Sequence, residues 1–264
     1  MLHLSSRRQF LRVISFTVPT VAVYARDRFD GVTGVNALFP TQPAELVEEM
    51  VVVAHGNVSR VKELVGRQPT LAKATWDWGF GDWETALGAA SYVGNHEIAE
   101  LLLSNGAHPT IFSAAMLGHL DVVKAFVAAS PGIQRTRGPH SISLMRHAMA
   151  GGPRAQSVVE YLKSIDGADD RPAEQSLTDG EIAKLTGVYT FGVTPADRVE
   201  IGVNKKQLQF ARPGRFARGL FHLGALEFCP VGAENVRIRF AESQGAMILT
   251  VHDPDVVLLA RKTG

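Results

Sequence analysis

Thr85-Ala86-Leu87-Gly88-Ala89-Ala90-Ser91, then Val93-Gly94-Asn95-His96-Glu97-Ile98-Ala99-Glu100-Leu101-Leu102, then Asn105-Gly106-Ala107-His108-Pro109, decide how the middle of this chain folds. The second segment has a helical period: Ile98, Leu101 and Leu102 share one face, while Glu97 and Glu100 point away. The first reads as a short helix of small residues. Gly94, between the two, fits a left-handed C-cap that lets the chain turn back. The arrangement recurs. His55-Gly56-Asn57 precedes Val58 to Leu64, Leu117-Gly118-His119 precedes Leu120 to Phe126, and Ala150-Gly151-Gly152 precedes Val158 to Leu162. The glycine spacings are 38 (56 to 94), 24 (94 to 118) and 33 (118 to 151).

This pattern resembles the ankyrin repeat, a β-turn followed by two antiparallel helices. Thr85 to Ser91 resembles the family's first helix, and Asn105 to Pro109 its repeat end. Only the last spacing equals the usual period of about 33 residues. The long spacing carries an insertion between helices, and the short one lacks the β-turn finger. Ala89, Ala90, Ala114 and Ala115 are small enough for neighbouring repeats to stack closely. The expected fold class is α + β and multidomain: an α-solenoid of about four ankyrin-type repeats over 45–165, then a small antiparallel β-barrel over 178–264. A linker over 166–177 joins them. The resemblance implies a protein or peptide partner on the concave face.

Between the first two repeats lies Trp76-Asp77-Trp78-Gly79-Phe80-Gly81-Asp82-Trp83-Glu84-Thr85, which holds all three tryptophans of the chain. Loop aromatics flanked by acids suit protein contacts, so Trp76, Trp78, Phe80, Asp82 and Trp83 are candidate partner-binding residues. They also have a packing role open to them, folded over the N-terminal repeat. A second, basic finger, Gln134 to His140, adds Arg135, Arg137 and His140 as candidates. The two fingers either flank a groove or pair with each other.

At the N-terminus, Ser6-Arg7-Arg8-Gln9-Phe10-Leu11-Arg12 precedes an apolar run from Val13 to Ala25. That run is too short for a membrane span of ~20 residues. It suits the h-region of a signal peptide covering 1–25, with an extended linker over 26–44. The motif resembles the twin-arginine export signal, with Arg7, Arg8, Phe10 and Leu11 in place and Arg12 replacing a lysine. The resemblance implies the twin-arginine translocase as a partner during export and a periplasmic or extracellular destination. A membrane is involved only if the signal stays uncleaved. Without residues 1–25, Lys+Arg falls from 27 to 24 against 26 Asp+Glu, a formal charge of −2. That leaves no excess positive charge to attract nucleic acid.

Composition shifts at Gly167 to Ala173. Thr178-Asp179-Gly180-Glu181 then reads as a capping box opening a short helix. Eight short alternating segments follow between Val188 and Ala260, the mark of a closed antiparallel barrel. Leu185, Gly187, Tyr189, Leu208, Phe228, Phe240 and Ala260-Arg261 resemble the small lipocalin-like barrel appended to serine β-lactamase-type hydrolases. In that family the barrel is an accessory module. No Ser-x-x-Lys motif, Gly-x-Ser-x-Gly elbow or phosphate loop accompanies it. The nine histidines do not show metal-ligand spacing, and Cys229 is a lone thiol in an apolar strand. The expectation is a non-enzymatic, exported protein-binding module with no cofactor and no metal. The alternative is a small-molecule receptor or hydrolase using the barrel interior, which would require a hollow mouth where Arg212, His222 and His252 converge.

Overall fold

The computed structural model describes residues 39–170 and 174–264. The expected signal peptide at 1–25 and most of the expected linker over 26–44 lie outside the described residues. The chain divides into two units, 1–43 and 44–264. Of the first, only Phe39–Pro43 is described.

Four helix pairs open it. They are α1 (Ala44–Val53) with α2 (Val58–Arg67), α3 (Ala86–Tyr92) with α4 (His96–Ser104), α5 (Ile111–Met116) with α6 (Leu120–Ala129), and α7 (Leu144–Ala150) with α8 (Gln156–Ser164). Side-chain caps set the starts. Asn57 accepts from Arg60 N at 3.1 Å, Thr85 from Gly88 N at 2.8 Å, and Asn95 from Ile98 N at 3.1 Å. The first helices touch in order, α1 on α3, α3 on α5 and α5 on α7. Among second helices, α2 touches α4 and α6 touches α8. Ala89, Ala90 and Ala115 are wholly buried, so the small residues let the first helices approach.

The left-handed cap expected at each turn glycine occurs at Gly94 (φ 75) and Gly118 (φ 79), and not at Gly151 (φ −66). Gly151 is needed for its size. A Cβ there would lie 2.0 Å from Met116 O. At Gly56, φ is also outside the left-handed range and nothing crowds the position. The first turn therefore tolerates a side chain where the inner turns do not.

The insertion is a hairpin of β1 (Thr75–Asp77) and β2 (Trp83–Thr85), with Trp76 opposite Glu84.

After α9 (Asp179–Leu185) come eight antiparallel strands: β3 (Gly187–Thr190), β4 (Arg198–Asn204), β5 (Gln207–Ala211), β6 (Arg218–Gly224), β7 (Glu227–Pro230), β8 (Arg237–Ser243), β9 (Ala246–Asp253) and β10 (Asp255–Lys262). Each pairs with its sequence neighbour, and β10 closes the ring on β3. Alternation turns Val199 and Ile201, Leu208 and Phe210, Ile238 and Phe240, and Leu249 and Val251 inward. Tyr189 and Phe228 each meet Phe240 edge-on, at 5.7 and 5.5 Å between ring centres. The Tyr189 hydroxyl donates to Leu185 O at 2.8 Å, which ties α9 to the barrel. The interior is packed with side chains.

The hollow mouth posed by the alternative reading does not form from its three residues. Arg212 donates to Ala196 O and lies over Phe191, His222 stacks on Phe228, and His252 reaches Thr250. Arg212 follows β5, His222 lies on β6 and His252 on β9, each with separate partners.

Candidate functional site

The polar centre of the molecule lies where the hairpin meets both the second finger and the barrel. Residue alternation explains which side chains enter it. At the start of β2, Asp82 just before it (2% exposed) and Glu84 (0%) turn inward, while Trp83 between them is 61% exposed. Phe80, at the hairpin tip, meets barrel residue Phe210 edge-on at 5.1 Å.

The Asp82 carboxylate takes three hydrogen bonds, from two residues. Its Oδ1 accepts from His140 N at 3.0 Å, and its Oδ2 faces His140 Nδ1 at 2.7 Å. The same Oδ2 accepts from Arg218 Nη1, and Arg218 Nε also donates to Trp78 O at 3.3 Å. Arg218 reaches this point because β6 turns Arg218, Leu220 and His222 to the barrel's inner side, with Arg218 at one rim. Gly232 admits the carboxylate: a Cβ there would lie 2.3 Å from Asp82 Cγ, and its φ is 84°. Its N–H donates to Ser141 Oγ at 2.6 Å. Burial alone would raise the Asp82 carboxyl, but hydrogen bonds from His140 and the charge of Arg218 hold it below the ordinary range.

Glu84 lies deeper. Trp78 Nε1 donates to Oε2 at 2.7 Å. His55 Nε2 lies 3.7 Å from Oε2 and His140 Nε2 3.5 Å from Oε1. Oε1 is buried and has no hydrogen bond. Burial alone would lower the His140 imidazole, but Asp82 and Glu84 on either side push it up to about 9. Tyr92 stands edge-on to both His55 (5.3 Å) and His140 (5.7 Å) and fixes the rings. Burial pushes the Tyr92 hydroxyl up beyond its usual range, helped by Glu84 and Asp82. A pocket of about 440 Å³ opens onto this centre, lined by Val52, His55, Trp78, His140, Phe216 and Arg218 among others.

The structure brings Trp78, Asp82 and His140 together and disperses the other candidates. Trp76 packs half-buried against the helix core. Phe80 is spent on the barrel. Arg135 pairs with Asp166 and Asp170, and Arg137 points at Glu234 from 3.9 Å. Of the eight, Trp83 is the one large aromatic left facing solvent. The two fingers pair with each other, through Asp82 and His140. Sequence reasoning missed His55, Glu84, Arg218 and Tyr92 as members of one site. The legible signal was the alternation Asp82-Trp83-Glu84, which places two carboxylates on one face of a strand. Cys229 is buried, and burial pushes its thiol up, which fits an unreactive group.

A family model described as Ankyrin repeat matches residues 82–113, from β2 through α3 and α4 into α5. Residues 82–113 are an ankyrin repeat. That repeat suggests a protein-interaction module. No curated protein matches the chain. Among the described residues no helix is long and apolar enough to cross a membrane.

Proposed function

We propose that this chain is an exported protein-binding module in which about four ankyrin-type helix pairs and the barrel form one scaffold. The order of contacts along the first helices and the matched second repeat support the four-unit reading. The twin-arginine-like motif at Arg7, Arg8, Phe10 and Leu11 supports export to the periplasm or beyond. The observation that carries the binding role is a groove of about 820 Å³ between the helix stack and the barrel. Its walls include Tyr92 and Met149 from the first helices, Arg137 and Arg146, and Asp169 and Asp170. Met149 is 57% exposed there. An apolar floor edged by both signs of charge suits a peptide or an extended protein segment.

The test compares affinity capture by wild type, Met149→Arg and Trp83→Ala. A partner in the groove is lost with Met149→Arg, by tenfold or more for a hot-spot residue of ~2 kcal/mol, and kept with Trp83→Ala. The reverse pattern moves the partner to the finger. Equal recovery by all three defeats the reading. Export is checked by fractionation. Arg7→Lys with Arg8→Lys should retain the chain in the cytoplasm.

A further inference from the structure

We propose that His55, Glu84 and His140 form a divalent-metal site, suited to zinc, where the helix stack meets the barrel. One ligand atom from each residue lies within 4.8 Å of the other two. His55 Nε2 lies 3.7 Å from Glu84 Oε2, and His140 Nε2 lies 3.5 Å from the other carboxylate oxygen, Oε1. Tetrahedral zinc with bonds of about 2.0–2.1 Å sets its ligand atoms about 3.4 Å apart. The His140 Nε2–Oε1 separation matches this, and drawing all three ligand atoms from within 4.8 Å onto one ion requires His55 and the carboxylate to close in.

Both imidazoles are held the way ligating histidines are held. His55 Nδ1 lies 3.0 Å from Val51 O and 2.9 Å from Val52 O. Carbonyl oxygens only accept, so Nδ1 carries the proton and Nε2 offers its lone pair. His140 Nδ1 donates in the same way to Asp82 Oδ2, which makes a carboxylate–histidine pair behind the ligand. Trp78 Nε1 orients the third ligand by occupying Glu84 Oε2.

The second observation is Glu84 Oε1. The side chain is wholly buried, yet this oxygen has no hydrogen bond and lies 3.5 Å from His140 Nε2. Among the described residues, the ion-pair partners of Glu84 are these two histidines. An unmet buried carboxylate oxygen is costly, and a bound dication would meet it. On binding, any proton on His140 Nε2 passes to bulk water. Two imidazole nitrogens and one carboxylate favour zinc over magnesium or calcium, which take all-oxygen sets. Three protein ligands leave a fourth position, toward the pocket that His55, His140 and Arg218 line. Water fills it, or an anionic group that the Arg218 guanidinium also attracts.

The full-length chain is stripped with chelator and titrated with Zn²⁺ by calorimetry and with Co²⁺ by visible absorption. One equivalent per chain is expected, with the intense visible bands of four-coordinate cobalt. Glu84→Gln and His55→Gln should each weaken binding by about 100-fold or more, since loss of a supporting contact alone costs about 10–100-fold. His119→Gln, at an exposed histidine elsewhere, should leave it unchanged. No saturable binding, or equal affinity in wild type and both site variants, overturns the proposal. Circular dichroism reports folding. If Glu84→Gln does not fold, His55→Gln, at a partly exposed ring, decides the matter.

Discussion

On β6, Leu220 and Arg218 stand two residues apart on the same side of one strand. Leu220 joins a barrel interior of Leu208, Phe228, Ile238 and Leu249, buried against one another. Arg218, at the rim, ends on Asp82 beside His140. Both regions are out of water, but they are specified differently. Inside the barrel most side chains need only the right volume, and Tyr189 adds one hydroxyl that donates to Leu185 O. At the seam a side chain needs a charge, a direction and a partner from another segment. The helix core is mostly of the first kind, with Ser91, Ser113 and His147 buried among its apolar residues.

The contrast is broken most sharply by taking one charge from the seam. Arg218→Met leaves the buried Asp82 carboxylate with His140 as its remaining cationic partner and should cost about 3 kcal/mol, the low end for breaking a buried pair. Removing both charges, with Asp82→Asn and Arg218→Met together, should cost less than the sum of the single changes. Denaturant titration measures all three. A loss below about 1 kcal/mol for Arg218→Met would show that the seam is not held by this pair.

In the barrel, Leu208→Ala should cost about 3 kcal/mol through the cavity it leaves, whereas Leu208→Met, which keeps the volume, should cost under about 1.5 kcal/mol. Arg218→Lys sharpens the difference. It keeps the charge but loses the planar fork that bonds Asp82 and Trp78 O together, so it is not conservative at the seam. Similar tolerance of Leu208→Met and Arg218→Lys would erase the distinction.

Two histidines seven positions apart carry the contrast into pH dependence. His147, wholly buried against Phe112 and Tyr92, is pushed down to about 4 by burial, although Ser143 O and Glu84 pull the other way. Unfolded, it titrates near 6.5. Its neutral form therefore stabilises the fold above 6.5, and that stability is lost as pH falls from 6.5 through 4. The full effect is about 3 kcal/mol by linkage. His140 has the opposite sign. Its folded value near 9 gives stability that is present below 6.5 and lost as pH rises through 9. Chelator-treated protein should show maximal stability between these windows, and His147→Gln should flatten the acid limb alone. An unchanged acid limb in that variant would assign the loss to other groups.

The periodic parts of the molecule were legible from sequence. Period two placed all eight barrel strands, and period 3.6 with its turn glycines placed the helix pairs, because each pattern is local. The seam was not legible as a unit. Its ligating and pairing groups stand 29 and 56 positions apart (55 to 84, 84 to 140), with Arg218 farther on. No spacing links them until the hairpin docks on the barrel. The packing role left open for the finger aromatics is the one Trp76 and Phe80 take, because a short hairpin buries one face, with Phe80 on the barrel rather than the N-terminal repeat. Half of such a finger is packing by geometry, and Trp83 is the exposed remainder.

The mildest test lies at the barrel's other attachment, where a local device works without buried charge. Thr178 Oγ1 accepts from Glu181 N at 3.2 Å, and Glu181 Oε2 accepts from Thr178 N at 2.8 Å. This reciprocal cap starts α9, whose Leu185 is buried in the barrel core. Thr178→Ala removes one half of the cap and should cost about 1 kcal/mol. The motif is exposed, so the loss should be additive with Arg218→Met, because no side chain links the two sites. A non-additive result in a double-mutant cycle would mean that α9 and the seam move together, and that the barrel transmits at its rim what its apolar interior was taken only to support.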